Sequence, residues 1–188
     1  MRSPDRTGGK PESRGGAARL RLPVLPSGSA TRFCVVFLCI IGLFVVFDLS
    51  VVTGRILHQP LAKFTASLAA TALAAFGKAQ ALGTQLHFNG FAVVIVDACD
   101  GVLPTLIYIA AILAFPSRWT HKAWGILIGL PAVLLVNLVR VITLMIVGAH
   151  WPTVFEQVHL YVWQACVIAF ALAAWVFWAE LSLRQRAS

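Results

Sequence analysis

Charge is scarce in this sequence. Of its 188 residues only 12% are Asp, Glu, Lys or Arg, and just 7 are acidic, whereas soluble domains carry about 25% charged residues. A composition so poor in charge does not make a water-facing surface. Cysteine is sparse and unpaired in pattern: Cys34, Cys39, Cys99 and Cys166 form no C-x-x-C pair and no Cys/His cluster at zinc spacing. Neither a disulfide framework nor a metal site is indicated. No Ala-x-Ala site follows the first apolar run, residues 33–52, and the run exceeds the core of a signal peptide, so it reads as a permanent span. The 15 Lys and Arg are not a nucleic-acid signature, because 7 of them lie in residues 1–32, ahead of that run. Positive-inside bias accounts for them.

What is present in abundance is apolar: 59% hydrophobic residues and a mean hydropathy of +0.84 mark an all-α integral membrane protein. Four transmembrane helices are expected. Residues 1–32, rich in Arg, Gly, Pro and Ser, read as a disordered basic cytoplasmic arm, residues 33–183 as the membrane-embedded domain, and residues 184–188 as a cytoplasmic tail. Span one, 33–52, is interrupted only by Asp48, an ionisable residue in an apolar setting and therefore a functional candidate. Residues 61–82 are Ala- and Leu-rich but carry Lys63, Lys78 and Gln80, which predicts an amphipathic helix lying on the extracytoplasmic face; a crossing there would invert everything downstream. Asn89-Gly90, between alternating runs, predicts a short β-hairpin that delivers the chain to Cys99. Span two runs from Cys99 to Phe115. A basic loop with Arg118 and Lys122 follows, then spans three (124–147, with Pro131 as a kink) and four (160–178). With both termini and the basic loop cytoplasmic, every cytoplasmic segment obeys the positive-inside rule.

This topology brings three residues, far apart in sequence, to the extracytoplasmic face: Cys99 at the start of span two, Arg140 near the end of span three and His159 at the start of span four. A cysteine at a helix start lies near unpaired N–H groups and the positive end of the helix dipole, which favours thiolate. Arg140 lies about 12 Å below the expected helix end, so it must face the bundle interior or a wet cavity with a partner. Asn137, Asp48, Asp97, Asp100 and Glu156 are available to it. A thiolate nucleophile, an imidazole to move protons and a fixed cation for an oxyanion together suit acyl transfer. His58, His121 and His150 are assigned to interfaces and His87 to the surface; of these, His150 alone shares the outer loop and is the alternative base. Two non-proteolytic readings stand beside this one. A quinone-linked thiol oxidant needs paired outer cysteines, and only one is outside. A multi-pass assembly or transport component would use Arg140 structurally.

The segments Asp97-Ala98-Cys99-Asp100-Gly101, Asn137-Leu138-Val139-Arg140-Val141 and His159-Leu160-Tyr161-Val162-Trp163-Gln164 resemble the three signature blocks of the exosortase and archaeosortase family, most closely exosortase H. Asp100 stands where many members have Ser. The resemblance implies a cysteine protease and transpeptidase of the bacterial inner membrane, with Cys99 as nucleophile, Arg140 as stabiliser and His159 as acid/base. It further implies membrane-anchored substrates bearing a C-terminal motif, a transmembrane helix and a basic tail. A thioester conserves the energy of the cleaved peptide bond, so no cofactor is expected.

Overall fold

The computed structural model describes residues 27–48, 54–96 and 100–187. Asp97, Ala98 and Cys99 lie outside the described residues, as does most of the expected basic arm. Helix α1 spans Ser27–Asp48, so the last residues assigned to that arm are helical. A π-helical turn, Gly54–His58, opens directly into α2, Gln59–Leu73. Three short strands follow, β1 (Ala79–Leu82), β2 (Gln85–Phe88) and β3 (Phe91–Val94), then α3 (Val102–Ala114) and α4 (Trp119–His150). A 3-10 turn at Pro152–Val154, a single α-turn at Phe155–Gln157 and a second π-helical turn at Val158–Trp163 lead into α5, Gln164–Ala187.

Among the described residues, three stretches are long and apolar enough to cross a bilayer: Ala30–Asp48, Trp119–His150 and Pro152–Arg184. Helix α3 is apolar but has 13 residues, about 20 Å of rise against a hydrocarbon core of about 30 Å. The outward faces carry Leu38, Leu43, Val46, Leu127, Ile128, Leu135, Leu172 and Phe177, all exposed. Such a continuous apolar belt suits a lipid environment and no aqueous one.

Residues 61–82 do not form one helix. α2 ends at Leu73, Gly77 follows, and residues 79–82 pair with β2 as an antiparallel strand. α2 buries Ala62, Thr65, Ala66, Ala69, Ala70 and Leu73, the i, i+3, i+4, i+7 pattern of a single helical face. That face packs on Leu86, Phe88, Val141 and Met145, so its small side chains seat the sheet against α4. The sheet has the order β1-β2-β3. Its second turn uses Asn89 (φ 47) and Gly90 (φ 89), the left-handed pair that matches strand twist. The carboxamide oxygen of Asn89 accepts from the Lys78 amide at 3.0 Å and fixes the β1 end to that turn.

Helices α1, α3, α4 and α5 run alternately up and down. Near one end Phe33, Phe115, Trp175 and Trp178 form an aromatic cluster, and the Trp178 indole donates to the His121 carbonyl at 3.0 Å. Close approach there depends on α4 glycines: a Cβ at Gly125 would collide with Trp178, and one at Gly129 with Tyr108. Near the opposite end lie Asp48, the turn before α3, the sheet and the α4–α5 connection. Residues 148–158 are more ordered than a loop, since α4 continues to His150 and tight helical turns complete the connection.

Candidate functional site

Helix α3 begins with a tightly built turn. Asp100 is fully buried, and its Oδ1 accepts from the Val102 amide at 2.9 Å. Gly101 takes φ +86, a left-handed conformation that suits glycine. A Cβ at Gly101 would lie 2.9–3.1 Å from side-chain atoms of Asn137, so the two elements touch at this point. Asn137 of α4 is itself buried. The amide of Val102 is thus engaged by Asp100, and the helix start offers fewer free N–H groups to a neighbouring thiolate than the sequence suggests.

The other oxygen of Asp100 leads to a residue that the sequence did not single out. His58 is buried, not interfacial, at the junction of the first π-helical turn and α2. Its Nδ1 lies 2.5 Å from Asp100 Oδ2, and its Nε2 lies 2.8 Å from Asp48 Oδ1 at the end of α1. One imidazole therefore joins two of the expected supporting carboxylates. Burial disfavours the charge on His58, but the hydrogen bonds it donates to Asp100 and Asp48, reinforced by their charges, outweigh it and raise the pKa above the ordinary histidine value. His58 could have been noticed on one ground only: it is a histidine just beyond an apolar span that ends in an aspartate.

Arg140 is buried in α4, one turn after Asn137. It also lines a cavity of about 440 Å³ between α1, α3, α4 and α5, together with Leu103 and Pro104 from the first turn of α3 and Gln164 from the start of α5. The rest of the lining is apolar, with Phe37, Ile107 and Trp175 among it. His159 sits on the second π-helical turn, and Arg140 and Glu156 are both near enough to act electrostatically on its ring. That ring also stands 5.8 Å from Phe155, which in turn packs edge-on against Phe91 of β3. The described residues thus bring together Asn137, Arg140, His159, Gln164 and the start of α3, with Glu156 at the margin. Asp48 and Asp100 gather around His58. His150, the alternative base, is exposed and turns Nδ1 to the Ile146 carbonyl of its own helix at 2.9 Å. Both His58 and His159 lie on π-helical turns, a geometry that is rare and frequent at functional sites. Cys34, Cys39 and Cys166 are free and exposed on the apolar helices.

Among the described residues no group of three or more His, Cys, Asp or Glu is arranged to hold a metal ion. No curated protein and no solved structure matches the chain. A model of the transmembrane exosortases of the EpsH type matches residues 24–179, which takes in all three segments around Cys99, Arg140 and His159. The apolar helices and that match together describe a multi-pass integral membrane protein of the sortase-like transpeptidase kind, and the chain belongs to the transmembrane exosortase family.

Proposed function

We propose that the protein is a membrane-embedded cysteine protease and transpeptidase that cleaves a C-terminal sorting signal through a thioester on Cys99. The signal comprises a short motif, a transmembrane helix and a basic tail. Cys99 attacks the carbonyl carbon of the scissile peptide, Arg140 stabilises the oxyanion, and His159 delivers a proton to the leaving amine as the C–N bond breaks. An acceptor amine or water then attacks the thioester, and the thiolate leaves. In this reading α3 makes a fourth crossing, shorter than the others, of a bacterial inner membrane. Both termini are cytoplasmic and the site faces outward.

The observation that supports the reading most is the juxtaposition at the start of α3. Gly101 touches Asn137, and Leu103 and Pro104 share a cavity with Arg140, whose charge reaches His159. Cys99 is two residues from Gly101 in sequence. The cavity is largely apolar with a cation and an amide at one end, a form suited to an apolar helix whose adjoining motif is polar. The test is a tag-directed blot of cells that co-express the protein with a substrate carrying motif, helix and basic tail. Loss of cleavage in Cys99→Ala at equal membrane abundance is expected, and equal cleavage in both refutes the nucleophile. Arg140→Ala separates the second reading, a structural component without activity. An enzyme loses cleavage but stays in the membrane, whereas a structural arginine takes the protein's abundance with it.

A further inference from the structure

We infer that His58 is a positioning residue for Cys99: shared between Asp48 and Asp100, its imidazolium ties the turn that carries the nucleophile to the end of α1. The inference rests on the reading of Cys99 as the nucleophile and adds a residue outside the three signature segments. Both ring nitrogens of His58 meet carboxylate oxygens, at 2.5 Å and 2.8 Å. A neutral imidazole has one N–H, whereas an imidazolium has two and satisfies both contacts at once. Asp100, fully buried, is costly as a lone carboxylate and tolerable when paired and hydrogen-bonded.

The consequence for Cys99 is covalent. It is the residue next to Asp100, and neighbouring Cα atoms are about 3.8 Å apart. Asp100 is held by His58 on one oxygen and by Val102 on the other, while Gly101 is seated against Asn137. Asp100, the sequence neighbour of Cys99, is therefore held through both of its side-chain oxygens, and such fixation is what keeps reacting atoms aligned. The charged groups around His58 are Asp48 from α1, Asp100 from the turn before α3, and Lys63 of α2, which lines the same cavity as His58. When His58 loses its proton, two carboxylates face a ring with a single donor. One contact is lost and the turn is released. The pairing raises the pKa of His58, so its part of the tie is fully present below the ordinary histidine value and is lost as pH rises through the raised one.

The test uses the full-length chain in lipid vesicles, in a background with Cys34, Cys39 and Cys166 replaced by Ala. Wild-type, His58→Gln and Asp48→Asn forms are compared from pH 5 to 10 by two readouts: the rate of iodoacetamide alkylation at Cys99, and cleavage of a co-reconstituted protein with the sorting signal. In wild type the alkylation profile is expected to show, besides the titration of the thiol, a second inflection above the ordinary histidine pKa. Asp48→Asn keeps an acceptor for His58 but removes one charge, and shifts that inflection down by about one pH unit. His58→Gln abolishes the inflection and slows cleavage about tenfold or more. Superposable alkylation profiles in wild type and Asp48→Asn overturn the inference, and so does an unchanged inflection in His58→Gln. If His58→Gln fails to accumulate, the Asp48→Asn profile alone decides. Failure of the nucleophile reading has a different signature, undiminished cleavage by Cys99→Ala, and leaves the alkylation profiles to report on the tie itself.

Discussion

Replacing Asp100 by Ala removes two interactions at once, and their separate loss can be read by comparison with Asp100→Asn. In wild type Oδ1 accepts from the Val102 amide and Oδ2 pairs with His58, both inside the protein. A buried donor left without an acceptor costs about 1–3 kcal/mol, and breaking one side of a buried ion pair costs about 3–5 kcal/mol. The terms overlap, since the remaining pair of His58 with Asp48 relaxes in both cases, so about 4 kcal/mol is expected for Ala. Asn retains an oxygen for Val102 and loses the charge, so its cost is smaller, about 2–3 kcal/mol. Thermal unfolding of the full chain in detergent micelles would show this as a Tm loss of about 10 °C for Ala and about half that for Asn. Because His58 has a raised pKa, its part of the stabilisation is complete below about pH 6.5. That part fades as pH passes the raised value, so the gap between wild type and Asp100→Ala should narrow in alkali. Equal losses for Ala and Asn, or a gap that widens as pH rises, would refute the two-bond account.

Three further outcomes follow from the same geometry. Gly101→Ala meets both a left-handed backbone and the Asn137 side chain, and should cost about 1–3 kcal/mol in thermal unfolding. It should also lower cleavage more than an equally destabilising change at the aromatic end. Gly129→Val drives side-chain atoms into Tyr108 and should reduce membrane abundance in a blot, with about 3 kcal/mol or more lost from overpacking. The triple replacement of Cys34, Cys39 and Cys166 by Ala changes only exposed apolar positions. It should leave abundance and cleavage within about twofold of wild type, and a larger loss would place one of those cysteines in the mechanism.

Much of this architecture is legible in sequence because membrane spans and glycine turns are local signals. The long apolar runs, the Asn89-Gly90 turn and the spacing of Asn137 and Arg140 on one helical face all follow from short-range pattern. Residues 61–82 misled for a physical reason: alanine and leucine suit a helix, but pairing with β2 overrides that propensity after Gly77 and recruits residues 79–82 into the sheet. His58 was invisible for another reason. Its partners lie 10 and 42 residues away, and nothing in its immediate neighbours distinguishes a buried, doubly bound imidazole from one at an interface. The cluster exists only once α1 and the start of α3 are brought to the same end of the bundle.

The pairing of His58 with Asp48 and Asp100 has a chemical consequence. A carboxylate close to a cysteine disfavours thiolate, whereas a cation favours it. Asp100 is the neighbour of Cys99, and with the Val102 amide occupied the helix start gives less compensation than its dipole alone would suggest. Pairing with His58 reduces the unfavourable field, because the imidazolium offsets one of the two negative charges of Asp48 and Asp100. On this view His58 limits the electrostatic penalty of anchoring the turn through an acid. Exchanging Asp100 for Ser in the His58→Gln background tests it, since the exchange removes the acid and the imidazolium together and retains a side-chain oxygen for Val102. Alkylation of Cys99 near neutral pH, slowed in His58→Gln by the uncompensated acid, should then recover towards the wild-type rate. If it stays as slow as in His58→Gln alone, the charge on Asp100 is not what His58 offsets, and its part in the turn is purely mechanical.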